Sequence, residues 1–231
     1  MALYDIEGYK VSAGGGTATV EQPHEGKKCL CIGDSNMAFM GGMAKWNLNY
    51  LFSEIGMTCV NFAQSGSHWY WDYEGEDLTT TNHGVGIGQL NDFLAQYGEN
   101  QTEYTMGLFL LGTNDHADLL GSFDDEPGTP SVVGYMRYTI EKMLSLPGWK
   151  QGRLFGIIPA RRYDGIDKPG ELEEKIVMIK RVYEDYSIPY VDMFYASNIR
   201  QADLRETDNV HLLEEAYEKM TMMVRNMINS H

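Results

Sequence analysis

The 231-residue sequence contains no long apolar run, since no stretch approaches the ~20 apolar residues that a membrane-spanning helix needs. Its N-terminus also lacks a basic region followed by an apolar one, which is the pattern of a secretion signal. We therefore expect no membrane span and no signal peptide within these residues. A cytoplasmic protein and a part of a larger exported or phage assembly both remain compatible with the sequence.

Positive charge is scarce. Lysine and arginine number 18 against 33 acidic residues, which gives a formal net charge of -15 at pH 7. A nucleic-acid backbone or an anionic membrane surface would be repelled over most of such a protein. We therefore expect no nucleic acid and no membrane among its partners.

Cysteine is also rare, with three residues, Cys29, Cys31 and Cys59. An odd number cannot form a complete disulfide framework, and all three lie in apolar stretches that are typical of strands. We expect reduced core residues. The spacing of Cys29 and Cys31 is too short for a structural zinc pair, and no matching cysteine or histidine pair lies elsewhere, so the sequence predicts no metal site.

The first 26 residues differ in composition from the rest. They contain a run of three glycines at 14–16 and short alternating pieces at 9–11 and 17–20, which predict an arm or a strand pair. The glycine run is not a phosphate loop, because no Gly-Lys-Ser/Thr follows it. No linker or repeat divides residues 27–231, so we expect one domain there.

From residue 27, apolar runs of strand length alternate with longer segments of helical periodicity. This pattern is typical of βαβ units around a parallel sheet. The predicted strands are Lys28 to Ile32, Met57 to Phe62, Thr105 to Leu111, Arg153 to Pro159 and Ile188 to Asp192. The predicted helices are Met37 to Ile55, Val85 to Tyr97, Val132 to Leu146, Glu171 to Tyr186 and Leu212 to Asn229. The expected fold is a flavodoxin-like three-layer α/β/α sandwich with a central parallel sheet of about five strands.

Functional groups of such sheets gather where the strands end. The first strand ends in Gly33-Asp34-Ser35-Asn36, so Ser35 is expected at a strand-to-helix turn with its N–H free to face a developing oxyanion. The alternative is that Ser35 or Asn36 is only an N-cap.

The next two strands end in loops with weaker signals. Gly66 follows the second strand and could bring a backbone N–H close to a ligand, although loop glycines are usually turn formers. Asn114 follows the third strand and could aim its side-chain amide at the same oxyanion, with an Asx turn as the alternative.

Asp208 and His211 precede the C-terminal helix. Residues three apart on a turn can point the same way, so Asp208 could orient the imidazole while its other nitrogen takes the proton of Ser35. By itself, Asp-x-x-His also arises by chance from capping residues and surface histidines.

These four blocks arrive in order, each at the end of its strand, and in this the sequence resembles the SGNH hydrolases, also called the GDSL esterase and lipase family. The resemblance covers about residues 28 to 229. It implies Ser35 as nucleophile, His211 as general base and acid, and Asp208 as the orienting carboxylate. It further implies an oxyanion hole of the Ser35 and Gly66 N–H groups with the Asn114 side chain.

The sequence departs from the family pattern at two places. Asn36 stands where the motif name has leucine, and Leu212-Leu213 follows His211 where members often have proline and asparagine. With this resemblance we expect a serine esterase that needs no cofactor.

The loop after Gly66 is rich in aromatic residues. We expect His68, Trp69 and Trp71 to bind substrate, since flat rings with polar tips suit sugars, and an acetyl or similar short ester on a carbohydrate is the predicted substrate. The rings could equally pack over the core or bury a subunit contact, so an oligomer stays open. His116, His68 and His83 rival His211 as base, but only His211 has an aspartate in the motif position.

Two other kinds of function remain open on this fold. One is a non-enzymatic carbohydrate-binding or structural module, because fold does not fix function. The other is a flavodoxin-like nucleotide binder, which fits the layer pattern but lacks a phosphate loop.

Overall fold

The computed structural model describes residues 3–4, 10–11, 24–42, 47–72, 84–150, 152–168 and 170–231. Near the N-terminus, strand β1 (Leu3–Tyr4) pairs antiparallel with β2 (Lys10–Val11). The alternating piece at residues 17–20 and most of the predicted arm lie outside the described residues. The division of the chain at residue 26 therefore stays a prediction.

The central sheet has five parallel strands in the order β4-β3-β5-β6-β7. Their bounds are β3 (Lys28–Gly33), β4 (Thr58–Asn61), β5 (Tyr104–Leu110), β6 (Leu154–Ile158) and β7 (Tyr190–Asp192). All five predicted strands are confirmed, with ends displaced by at most two residues. The inner strands are buried on both faces, as continuous apolar runs in a covered parallel sheet should be.

Helices cover both faces of this sheet. They are α1 (Ser35–Gly42), α2 (Leu48–Glu54), α3 (Gly86–Tyr97), α4 (Val132–Ser145), α5 (Glu171–Asp185) and α6 (Glu214–Asn229). One core, between the sheet and α3, α4 and α5, includes Trp69 and Phe93. The other, against α2 and α6, includes Phe52 and Tyr217. The expected three-layer α/β/α sandwich is confirmed.

One helix prediction is wrong. The apolar spacing from Met37 to Ile55 predicted a single helix, whereas the structure has α1 and α2 there. Asn47 starts the second helix, because its Oδ1 accepts a hydrogen bond from the Tyr50 N–H at 2.8 Å. Two glycines, Gly41 and Gly42, also weaken helical continuity before the break. Apolar periodicity alone reveals neither the capping asparagine nor the effect of the two glycines.

All three cysteines are free thiols, as predicted. Cys29 and Cys31 are fully buried in the second core, and Cys59 is half-buried beside it. Within the part of the chain that the structure describes, no group of three histidine, cysteine or acidic side chains is placed to hold a metal ion. No helix among the described residues is long and apolar enough to span a membrane.

Candidate active site

Ser35 lies where β3 ends and α1 begins. Asp34 caps this helix, since its Oδ1 accepts a hydrogen bond from the Asn36 N–H and its carbonyl oxygen accepts one from the Ala38 N–H, each at 2.9 Å. The interpretation of Ser35 or Asn36 as the N-cap is therefore wrong. Ser35 is the first helical residue, only 6% exposed, and its N–H belongs to the helix end that lacks partners within the helix.

His211 and Asp208 lie in the turn before α6. The Nε2 atom of His211 lies 2.8 Å from Ser35 Oγ, and its Nδ1 lies 2.9 Å from Asp208 Oδ2. The other carboxylate oxygen of Asp208 accepts hydrogen bonds from the N–H groups of Val210 and His211, each at 2.9 Å. Asn209 adopts a left-handed φ of 55°, which lets this short turn close. Serine, histidine and carboxylate thus form one hydrogen-bonded chain.

The electrostatics of Asp208 fix the tautomer of the histidine. Burial acts to raise the pKa of this carboxyl, but hydrogen bonds from the His211 N–H, the His211 ring and the Val210 N–H outweigh it and lower the pKa to about 2. Asp208 is therefore ionised at neutral pH and can only accept hydrogen bonds. In a neutral imidazole, Nδ1 then carries the proton and Nε2 is left to accept the hydroxyl of Ser35.

Asn36 and Leu212, two residues that depart from the family pattern, contribute to the hydrogen bonds around the histidine turn. Asn36 Oδ1 accepts hydrogen bonds from the Leu212 N–H and the Tyr217 hydroxyl, both at 3.4 Å. On the other side, the Arg205 N–H donates to the His211 carbonyl at 2.8 Å. Leu212 is buried, at 2% exposure. Asn36, the residue after Ser35, thereby links the serine turn to the histidine turn.

The candidate oxyanion donors lie on neighbouring loops. Gly66 has a φ of 79°, and an added Cβ would meet nothing within 4 Å, so glycine is required there by backbone conformation rather than by space. Asn114 Nδ2 donates to the Ser67 carbonyl at 3.0 Å, so its amide reaches the second loop instead of closing an Asx turn. The amide nitrogen keeps a second hydrogen for another acceptor.

Two buried carboxyls lie behind these loops. Burial raises the pKa of Asp34 to about 6, even though the nearby Thr113 and the hydrogen bond from the Asn36 N–H favour the charged form. Burial likewise raises the pKa of Asp115 to about 7, against hydrogen bonds from the N–H groups of Trp69 and Tyr70. Asp115 therefore anchors the aromatic loop from beneath.

The aromatic loop does not present all three residues that were expected to bind substrate. Trp69 is fully buried and its ring packs against Phe109, so the prediction for Trp69 is wrong: its indole is part of the core. His68 and Trp71 are half-buried and lie together, with ring centroids 4.9 Å apart. His116 joins them, 4.7 Å from Trp71. These three rings are called the aromatic cluster below.

Of the rival bases, His68 and His116 belong to the aromatic cluster, and His83 lies outside the described residues. Burial lowers the pKa of His68 to about 4, so its ring is neutral near pH 7. Among the histidines that the structure describes, the one that contacts Ser35 is His211.

Three polar residues near the site were missed by the sequence reasoning. Gln89 and Lys175 are fully buried on helices, and Lys175 Nζ donates to the Asp115 carbonyl at 2.8 Å. Arg162 donates from Nη1 to the Thr113 carbonyl at 2.7 Å, supporting the same loop. The available signal was a polar residue at an apolar position of the helix stripe, as for Gln89 in α3 and Lys175 in α5.

A parallel five-stranded sheet covered by helices, with a serine at the first strand end hydrogen-bonded to a histidine and its carboxylate, defines an α/β serine hydrolase. The model of the GDSL-like Lipase/Acylhydrolase family matches residues 30–224, and the chain belongs to this family. It is accordingly a serine ester hydrolase. The hypotheses of a nucleotide binder and of a non-enzymatic module are therefore rejected.

Solved structures of similar fold include several hydrolases. An aryl esterase of M. smegmatis has a TM-score of 0.58 at 16% identity, over 88% of this chain and 99% of that one. A lipase/acylhydrolase of Enterococcus faecalis has a TM-score of 0.56 at 13% identity, over 88% and 96%. A GDSL-like lipase of Bacteroides thetaiotaomicron has a TM-score of 0.56 at 15% identity, over 91% and 92%. A search of the curated proteins found no match.

Proposed function

We propose that Ser35, His211 and Asp208 hydrolyse an ester through an acyl-serine intermediate. The observation that carries this assignment is the continuous chain of hydrogen bonds from Ser35 Oγ through both imidazole nitrogens to Asp208 Oδ2, at 2.8 and 2.9 Å. A serine hydroxyl is a poor nucleophile unless a base of this kind removes its proton.

The reaction then proceeds in two halves. Ser35 Oγ attacks the ester carbonyl while its proton passes to His211 Nε2, and the Ser35 and Gly66 N–H groups with the Asn114 amide stabilise the oxyanion. His211 returns the proton to the departing alcohol, and the acyl group stays on Ser35. Water, deprotonated by His211, attacks the acyl-serine, the acid is released, and His211 returns the proton to Ser35 Oγ. No cofactor enters either half.

For the substrate, we favour a short acyl group, such as acetyl, esterified to a carbohydrate. The aromatic cluster supports a sugar-sized alcohol, because ring faces with polar nitrogen atoms complement sugar rings. Beside His116 lies a cavity of about 220 Å³ lined mainly by polar and charged side chains. That lining comprises Ala117, Asp118, Ile166, Asp167, Lys168 and Glu171. Such a lining favours a hydroxylated alcohol over a long hydrocarbon chain.

The first experiment compares hydrolysis of p-nitrophenyl acetate and longer p-nitrophenyl esters by the wild type and by Ser35→Ala. We expect activity that is highest on acetate, falls with chain length and disappears in the variant. Equal rates from both proteins would remove Ser35 as the nucleophile. Faster hydrolysis of long-chain esters would keep the nucleophile and overturn the short acyl group.

A second comparison addresses the alcohol. Trp71→Ala should raise KM for acetylated xylose or glucose by about 3- to 10-fold, which corresponds to the loss of one aromatic contact. Hydrolysis of vinyl acetate, which has no sugar, should stay within about twofold of wild type. Equal loss on both substrates would show that Trp71 supports the fold rather than the sugar.

A further inference from the structure

The side chain of Gln89, in the first turn of α3, is buried and bonds to both segments that lead to the backbone oxyanion donors, the end of β3 and the loop after β4. Its Oε1 accepts a hydrogen bond from the Gly33 N–H at 2.8 Å, and its Nε2 donates to the Gly33 carbonyl at 2.8 Å and to Ser67 Oγ at 2.9 Å. Gln89 is fully buried. Gly33 lies two residues before Ser35, and Ser67 directly follows Gly66.

The orientation of this amide is fixed by its partners. The Gly33 N–H can only donate, so the atom facing it must be the carbonyl oxygen of the Gln89 side chain. Both hydrogens of Nε2 then point at oxygen atoms, one on Gly33 and one on Ser67. The reversed amide would oppose two donors at Gly33 and leave a buried N–H unpaired, which is costly.

The strand geometry explains why a side chain is needed at this point. The last paired residues of β3 and β4 are Cys31 and Asn61, after which β4 has ended. Beyond them the Gln64 N–H still donates to the Gly33 carbonyl at 3.0 Å, but the Gly33 N–H, a buried donor, finds its acceptor in the Gln89 side chain. The primary amide of Gln89 thus supplies the acceptor that a strand carbonyl would otherwise provide.

Ser67 connects Asn114, the third candidate oxyanion donor, to Gln89. Its carbonyl oxygen accepts the Asn114 Nδ2 hydrogen bond at 3.0 Å, while its Oγ accepts that of Gln89 at 2.9 Å. Ser67 is fully buried. Together with the Gln64 N–H bond to the Gly33 carbonyl, Gln89 holds the Ser35 and Gly66 segments together, and through Ser67 it is linked to the side chain of Asn114.

We infer that Gln89 is a positioning residue for the oxyanion hole, acting through Gly33 and Ser67 without touching substrate. The inference rests on the proposed roles of Ser35, Gly66 and Asn114. Oxyanion donors act on charge that develops in the transition state, and displacement by a fraction of an ångström weakens them. Loss of Gln89 therefore reduces kcat and leaves KM nearly unchanged.

The test uses Gln89→Met, which keeps the side-chain length and removes all three hydrogen bonds, and Ser67→Ala, which removes one. Gln96→Met is the matched control, since Gln96 lies on the exposed face of the same helix and bonds only to the Tyr97 hydroxyl among the described residues. For each protein, kcat and KM are measured on p-nitrophenyl acetate. Inhibition by phenylboronic acid, whose serine adduct places an oxygen in the oxyanion hole, is measured in parallel.

We expect Gln89→Met to lower kcat about 10- to 100-fold, somewhat less than outright loss of a donor, with KM within about twofold. The inhibition constant for phenylboronic acid should rise by a similar factor. Ser67→Ala should change both in the same direction by a smaller factor, and Gln96→Met should match wild type. A loss that is merely structural would lower the melting temperature and the fraction of titratable sites, with kcat per active site preserved.

If folded Gln89→Met keeps the wild-type kcat per active site, the inference is overturned. The proposed function is still supported in that case, provided that Ser35→Ala loses activity. Hydrolysis that persists in Ser35→Ala would overturn both. If Gln89→Met does not fold, Ser67→Ala decides: an unchanged kcat and boronate affinity in that variant overturn the inference.

Discussion

The Asn114 amide nitrogen has two hydrogens, of which one is donated to the Ser67 carbonyl at 3.0 Å. The same residue can therefore be held in place by one hydrogen and stabilise an oxyanion with the other. This double use separates it from a turn-forming asparagine, whose side chain would bond to its own loop. The functional assignment at the residue scale depends on that second hydrogen.

We predict that Asn114→Ala lowers kcat on p-nitrophenyl acetate about 100- to 1,000-fold, the effect typical of one oxyanion donor, with little change in KM. Asn100→Ala, an exposed loop substitution, is the matched control and should retain wild-type rates. Steady-state kinetics of the three proteins measure both parameters. A decrease of less than about threefold would exclude Asn114 from the oxyanion hole.

Asp208 carries a second prediction at this scale. Its pKa is about 2, because the hydrogen bonds from His211 and Val210 outweigh the effect of burial. Asp208→Asn removes the charge that orients the imidazole and can select the wrong tautomer, so kcat should fall by about 10,000-fold. Asp203→Asn, on the preceding loop, is the control and should keep its activity. Near-normal kcat in Asp208→Asn would show that another group orients His211.

At the scale of elements, the junction of β3 and α1 determines where Ser35 sits. A Cβ added to Gly33 would lie 2.7 Å from Met37 Cβ and 2.9 Å from the Leu110 carbonyl oxygen. Both are close to backbone that cannot yield without moving the strand or the first turn of the helix. The glycine is thus required by a close approach of three elements.

We predict that Gly33→Ala destabilises the protein by about 1–3 kcal/mol, the usual cost of overpacking, and lowers kcat because Ser35 moves with the helix. Gly152→Ala is the control: an added Cβ there meets nothing within 4 Å, so only its φ of 79° is strained. Urea unfolding gives the stabilities and ester hydrolysis the rates. Gly33→Ala with wild-type kcat would show that the serine turn tolerates the displacement.

Helices, strands and site residues are predicted well from the sequence where a single pattern, such as an apolar run or the order of motifs, determines them. Apolar runs identified all five strands of the central sheet, and the order of blocks identified Ser35, Asp208 and His211 as the residues that the structure brings together. The break between α1 and α2 was missed because a capping side chain, Asn47, interrupts an otherwise continuous apolar period. Local chemistry prevailed over periodicity there.

Buried polar residues account for the remaining gaps. Gln89 and Lys175 occupy stripe positions that periodicity assigns to apolar side chains, and their partners include backbone atoms that are distant in sequence. The prediction for Trp69 was wrong for a different reason: this residue of the aromatic loop turns inward onto Phe109. Such choices depend on tertiary contacts, which a single sequence does not contain.

At the scale of the whole molecule, pH changes the stability of the fold through buried carboxyls and buried histidines, which have opposite effects. Burial raises the pKa of Asp34 to about 6 and that of Asp115 to about 7, so in the folded state both hold protons that the unfolded chain has released at the same pH. Lowering the pH from 8 towards 4 therefore stabilises the fold through these carboxyls. His24 and His68 oppose this, because burial lowers the pKa of each to about 4 and the unfolded chain protonates first.

Comparison of wild type with Asp115→Asn separates the two contributions, because the histidines are common to both proteins. Each pH unit between the ordinary and the raised pKa corresponds to about 1.4 kcal/mol, so Asp115 should contribute on the order of 4 kcal/mol to the difference between pH 8 and pH 4. We predict that the free energy of unfolding of wild type, relative to Asp115→Asn, rises by this order as the pH is lowered, measured by urea denaturation at several pH values. If the Asp115→Asn difference does not change with pH, Asp115 ionises at its ordinary pKa, and its hydrogen bonds to the aromatic loop compensate fully for its burial.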